Sequence, residues 1–222
     1  MKKNILAILL LPVLLLTGGC GIVSVLGTPS ASEEVVEAKF DISQRYGEKI
    51  LVLVNQPSWV NSPVNLRKEI TNKVNSYMRV YFEDLPEDSI IEYDTVKEKR
   101  SSDMDFDNRD VVELAEMFDA GVVLYIELLE FDILRLTSQG YYSAEMKTFS
   151  VLYDGKDGSV LWPETKAESV ISLGIECEKG VEQTMVRLST AAAHCTLRNF
   201  YDCLRHKYKV IEEKRQYEMD EW

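Results

Sequence analysis

The chain has 222 residues and a formal charge of −12, with 25 basic against 37 acidic side chains, 45% hydrophobic and 28% charged residues. This is the composition of a globular protein of about one domain, large enough to bury a core without disulfides or metal. The acidic balance argues against nucleic-acid binding, which needs Lys and Arg to displace phosphate counterions, and against a polybasic attraction to anionic lipid.

The N-terminus reads as an export signal over residues 1–19. Lys2 and Lys3 form a positive start, and residues 5–16 are apolar apart from Pro12. Twelve residues are too few to cross about 30 Å of hydrocarbon as a helix, but they suit a secretory signal. Thr17, Gly18 and Gly19 then lead into Cys20, and this resembles the lipobox of bacterial lipoproteins. The resemblance implies that Cys20 carries a diacylglycerol and becomes the first residue. Removing Lys2 and Lys3 leaves 23 basic against 37 acidic residues, a charge of −14. Acyl chains, not charge, would therefore hold the protein to a membrane. One chain holds only marginally, and two or three make attachment effectively permanent. Gly21 stands where Asp would retain some Gram-negative lipoproteins at the inner membrane, so the expectation is the outer membrane, facing the periplasm.

Residues 20–48 read as lipidated N-terminus and tether, with Val35, Val36, Phe40 and Ile42 docking loosely. The body is expected over 49–205, with a charged tail over 206–222. Ile50, Leu51, Val52, Leu53 and Val54 form a run of β-formers typical of a strand buried on both faces. Ser62 and Pro63 open a helix with an inward stripe of Leu66, Ile70, Val74, Tyr77, Met78 and Tyr81. Ile90, Ile91, Glu92 and Tyr93 read as a short second strand. Asp107 or Asn108 caps a second helix bearing Val111, Leu114, Ala115 and Phe118, with Gly121 as its stop. A long third strand over 122–134 and a fourth over 141–153 follow, joined through Ser138, Gln139 and Gly140. Asp154, Gly155, Lys156, Asp157 and Gly158 make a hairpin turn. A fifth strand over 159–162 breaks at Pro163 and resumes through Val170, Ile171 and Leu173. The last helix covers about 181–201, with Val181, Met185, Leu188, Ala192, Cys195 and Phe200 inward. The order β-α-β-α-β-β-β-α predicts an α/β fold: a single mixed sheet with helices packed on it.

Three segments resemble a known bacterial group. They are Lys49 to Val54 of the first strand, the Val111-Val112-Glu113-Leu114-Ala115-Glu116-Met117-Phe118-Asp119-Ala120-Gly121-Val122-Val123-Leu124-Tyr125-Ile126-Glu127 passage from helix into strand, and the Val151-Leu152-Tyr153-Asp154-Gly155-Lys156-Asp157-Gly158-Ser159-Val160-Leu161-Trp162 hairpin. Together they are similar to the lipoprotein domains of the curli-secretion pore family and the penicillin-binding-protein activators, whose α/β fold also occurs in the N-terminal domain of the translocation protein TolB. The likeness spans about residues 47–200, and its motifs are structural ones that speak to fold more than to activity. The Ala192-Ala193-His194-Cys195-Thr196-Leu197-Arg198-Asn199-Phe200-Tyr201-Asp202-Cys203 segment also resembles one found in bacterial lipoproteins of similar length.

Few residues promise chemistry. His194, Cys195 and Cys203 invite zinc, but two helical cysteines eight apart lie about two turns from each other, and His194 points about 100° away from Cys195. No metal and no cofactor is expected. The same geometry leaves a Cys-His nucleophile pair without a shared face. Asp103, Asp105 and Asp107 lack the glycine and closing Glu of a calcium loop. In an oxidising compartment Cys177, Cys195 and Cys203 are disulfide candidates. Either Cys177 pairs with Cys195 or Cys203, or the helix ends near Asn199 and the chain turns back so that Cys195 meets Cys203; the last is preferred. The foremost interaction loop is Asn55, Gln56, Pro57, Ser58 and Trp59, at the C-terminal end of the first strand, where open α/β sheets often bind ligands. A competing expectation is that Trp59 packs under the first helix. The reading is thus a non-enzymatic, membrane-anchored module that binds another envelope protein, with no nucleic acid and no identified small-molecule substrate. An oligomeric secretion component of the curli-pore type and an envelope hydrolase or metal-dependent enzyme are the alternatives.

Overall fold

The computed structural model describes residues 35–82, 84–137 and 140–204. The expected export signal over residues 1–19, Cys20 and the expected tail over 206–222 lie outside them. In chain order the elements are β1 (Val35–Val36), β2 (Lys49–Asn55), α1 (Leu66–Tyr81), α2 (Tyr93–Ser102), α3 (Val111–Phe118), β3 (Ala120–Arg135), β4 (Tyr142–Asp154), β5 (Val160–Trp162), β6 (Val170–Cys177), α4 (Val181–Leu197) and β7 (Cys203–Leu204).

The architecture is the expected α/β fold with one mixed five-stranded sheet. β2 runs parallel to β3, β3 antiparallel to β4, and β4 antiparallel to both β5 and β6. The run of β-formers in β2 serves two cores, because alternate side chains of a strand point to opposite faces. Ile50, Val52 and Val54 join Val122, Leu124 and Ile126 under α1 and α4. Leu51 and Leu53 join Val123 under α2 and α3, with Val96, Phe106, Leu114 and Phe118. Burying each such side chain contributes about 1.5–3 kcal/mol. Beyond Glu127, β3 outruns β2, and only one sheet face is covered. There β6 shows the alternation of buried and exposed residues that a one-sided strand needs.

Several expectations are corrected. Asn65, not Ser62, caps α1, accepting from the Lys68 amide at 3.1 Å. Asp110, not Asp107 or Asn108, caps α3, accepting from the Glu113 amide at 2.9 Å. The left-handed residue that ends α3 is Asp119, at φ 53°, while Gly121 lies inside β3. The apolar pair before α2 makes only one parallel bridge, Ile50 to Ile90, and Tyr93 begins the helix. The fifth strand is two strands, with β6 on the first half of β4 and β5 on its end. Residues 35–48, assigned above to the tether, are packed. β1 pairs antiparallel with β7, Ile42 is 1% exposed, and Phe40 meets Phe200 edge-on at 6.5 Å.

The chain does turn back after α4. The Asn199 side-chain amide donates to the carbonyls of Cys195 and Thr196, closing the helix end, and the Asn199 backbone carbonyl accepts from the backbone amides of Lys39 and Phe40. Cys177, Cys195 and Cys203 are all buried, and none of the three is joined in a disulfide, in contrast to the expected Cys195–Cys203 bridge. Burial pushes the Cys195 thiol up to about 12. Among the described residues no helix is long and apolar enough to cross a membrane.

Candidate functional site: a basic cleft at the end of β2

A concave feature lies at the C-terminal end of β2, beside the loop singled out above. It is a cleft of about 980 Å³. Asn55, Gln56, Pro57 and Ser58 form one wall. The loop is set by a turn in which the Val60 amide donates to the Pro57 carbonyl at 3.0 Å, and by the Gln56 side-chain amide, which donates to the Val60 carbonyl at 3.1 Å. Buried Val60 draws the turn against the core. Trp59 is turned outward. It is 59% exposed, so it does not pack under α1 and does not line the cleft. Glu127, opposite Asn55 in the β2–β3 register, is not a lining residue either.

The facing walls come from the first turn of α1 and from α2. They bring Arg67, Tyr93, Lys97 and Arg100 to the cleft, together with Asp107 from the loop after α2. Tyr93, Lys97 and Arg100 follow one another by four and three residues, which places them on one face of a helix. The Arg100 Nε donates to Asp107 Oδ1 at 3.0 Å, and its guanidinium lies over the Phe106 ring at 4.8 Å. The Arg67 Nη2 donates to the Gln56 carbonyl at 3.1 Å and stands 3.9 Å from Asp107 Oδ2. Its Nε is buried with no acceptor. Burial, and after it the neighbouring Arg67 charge, hold the Arg100 guanidinium below the ordinary arginine value; Asp107 only partly offsets them. It stays charged near neutral pH, as guanidinium groups do in proteins. The Asn65 side-chain amide donates to the Tyr93 hydroxyl oxygen at 3.0 Å, fixing that ring against the start of α1.

The cleft is therefore basic in an acidic protein. Arg67, Lys97 and Arg100 line it, and Asp107 is the one acid among its described lining residues. The arrangement suits recognition of an anion. The sequence reading singles out the loop and not the cations that face it. The signal for them is the Tyr93, Lys97, Arg100 spacing, which is masked in the sequence because Ile90 to Tyr93 resembles a short strand.

The other candidates do not converge. Asp103 accepts from Arg109 Nε at 2.6 Å while Asp107 serves Arg100, so the acids of that loop face separate arginines. His194 Nδ1 lies 3.3 Å from the Tyr201 hydroxyl. Among the described residues no three His, Cys, Asp or Glu side chains gather as a metal site would require. Trp162 packs inside the body, edge-on to Phe200 at 5.1 Å.

No protein-family model matches the chain, and no curated protein matches it. Among solved structures it is similar to the lipoprotein GNA1162 from Neisseria meningitidis, with 16% identity, 64% of this chain and 93% of that one covered, and a TM-score of 0.36. A PelC dodecamer from Paraburkholderia phytofirmans gives 12% identity, coverage of 76% and 98%, and a TM-score of 0.40. At such identities and scores the likenesses carry no argument about what this chain binds or does.

Proposed function

We propose that the protein is exported, lipidated on Cys20 and held at the cell envelope, at the outer membrane facing the periplasm, where its body works by binding another envelope protein and not by catalysis. The observation that carries this reading is the apolar run of residues 5–16, ending in Thr17, Gly18, Gly19 and Cys20 after two lysines. The charge of the remainder supports it from the other side. A body this acidic is repelled by anionic headgroups, so a stable membrane location needs acyl chains. Residues 21–34 would serve as the leash between lipid and body.

Fractionation of cells tests the anchor. The native protein sediments with membranes and takes up a labelled fatty acid, and Cys20→Ser removes the label and frees the protein from the acylated pool. A label that survives Cys20→Ser, or a native protein found wholly in the soluble fraction, would overturn the proposal. In-cell crosslinking tests the binding role, and recovery of one recurrent envelope protein crosslinked to the body is the expected result.

A further inference from the structure

We infer that the cleft at the end of β2 is a binding site for a phosphate monoester. This goes beyond the anchoring proposal and does not rest on it, since the cleft is built entirely from the body.

The charge comes first. Three cations against one carboxylate leave the cleft two charges positive within a chain of −12. Such a concentration against the overall sign is costly unless something compensates it. Asp107 compensates only in part. It gives one oxygen to Arg100 at hydrogen-bond distance and leaves the other 3.9 Å from Arg67, too far for a bond. Arg67 otherwise has a single backbone acceptor and a bare buried Nε. Lys97, on the rim of the same face, makes no ion pair among the described residues.

The ligand class follows from what remains. A phosphate monoester carries about −1.5 to −2 charges and three strong acceptor oxygens. That matches a site with a net charge of +2 and three cationic donors better than a lone carboxylate does, since a carboxylate has one charge and two oxygens. Arginine forks are suited to phosphate and lysine supplies a mobile point charge. The Tyr93 hydroxyl accepts from Asn65, which leaves its own proton to donate elsewhere. The cleft, at about 980 Å³, is much larger than a phosphate, leaving room for the esterified body against Pro57, Pro63 and the Tyr93 ring. The phosphate could belong to a soluble ester or to a lipid headgroup, and the chemistry at the arginines would be the same.

The test uses the full chain purified in detergent. Inorganic phosphate and glycerol 3-phosphate are titrated by calorimetry, and micelles doped with phosphatidic acid or with phosphatidylcholine are compared by phosphorus NMR line broadening. Saturable binding to one site is expected from glycerol 3-phosphate, from phosphatidic acid, or from both, and the arm that binds more tightly identifies the source. Arg100 also holds Asp107 and covers Phe106, so its loss could disturb the fold, and the variants are taken elsewhere. Lys97→Gln, an exposed rim change, should weaken binding about tenfold, and adding Arg67→Gln should weaken it about tenfold again. Lys156→Gln, at the far end of β2, should leave affinity within about twofold. No saturable binding in any arm, or an equal loss with Lys156→Gln and Lys97→Gln, would overturn the inference. Neither result would touch the fatty-acid label at Cys20, so failure of the cleft and failure of the anchor are told apart.

Discussion

The two ends of β2 each hold an arginine between acidic and backbone partners, and they use it in opposite ways. At the Lys49 end Arg45 is saturated. Its Nε donates to Glu48 at 2.6 Å, Nη1 to Asp154 at 2.8 Å and Nη2 to the Gly121 carbonyl at 2.9 Å. Lys156 adds an ion pair to Glu48 and a backbone bond to Asp154. The recess there is smaller, about 650 Å³, and is lined by Glu48, Glu116 and Asp119 with Lys49 and Lys156; Lys49 pairs with Asp119 and Lys156 with Glu48. At the Asn55 end Arg67 is short of partners and the larger recess is cationic. A saturated polar cluster locks the β4–β5 hairpin to the start of the sheet. An unsaturated one is held in place by the fold but keeps capacity for a ligand. The contrast teaches that the number of bonds left unmade, and not the residue type, separates a charge spent inside the fold from one with capacity left over.

That contrast can be broken from the structural side first. Gly155 lies so close to β3 that a Cβ would overlap the Ala120 carbonyl oxygen, which is backbone and cannot swing away. Gly155→Ala should therefore force the hairpin off the sheet and cost about 3 kcal/mol, read as a lower midpoint in denaturant unfolding. A change within experimental error would show that the hairpin is not locked there. Arg45→Met should cost about 2 kcal/mol, because it removes three hydrogen bonds, two of them to carboxylates, although Lys156 still serves Glu48 and Asp154 and the Gly155 amide still serves the Gly121 carbonyl. A cost equal to that of Arg67→Gln would erase the difference between the two ends.

Acid should act on the same cluster. Burial works to raise the Glu48 carboxyl, but its bonds to Arg45 and Lys156 outweigh it and hold the group below its usual value of 4.5. The Lys156 backbone amide, then Arg45, hold Asp154 below 3.8. Both carboxyls are lowered in the folded state, so the stability they add is fully present above the usual values and is lost as pH falls through the lowered ones. The native protein should lose stability on acidification below about 4.5 more steeply than Arg45→Met, measured by unfolding at a series of pH values. Parallel curves would remove the cluster from the account of acid sensitivity. Asp154 keeps its Lys156 amide in that variant, so part of the slope should survive.

At the other end Arg67→Gln should cost less than about 1 kcal/mol, since only one bond at full strength is lost. Trp59→Ala should change stability by no more than about 0.5 kcal/mol, as expected of an exposed side chain. A larger loss would mean that Trp59 packs against something in solution.

The parts legible in the sequence are those whose pattern is local and strong. β2 was readable because five apolar β-formers in a row fit only a strand with both faces covered. The stripe on α1 and the glycine-rich turn after β4 were readable for similar reasons. α2 was not. It buries only Tyr93 and Val96, its cap makes no side-chain bond, and it follows two isoleucines that look like a strand. The mistake hid half of the candidate site, because Lys97 and Arg100 share a face only once the segment is helical. The docking of residues 35–48 was underestimated for a different reason. Its partners Phe200, Cys203 and Leu204 lie more than 150 residues away, and short-range patterning carries no trace of such pairing.

The envelope assignment stands or falls on the N-terminal cysteine. Mass spectrometry of the N-terminal peptide of the mature, natively produced protein should find a chain that begins at Cys20 and carries a diacylglycerol on its sulfur. A peptide in which Cys20 bears an unmodified thiol would contradict the account.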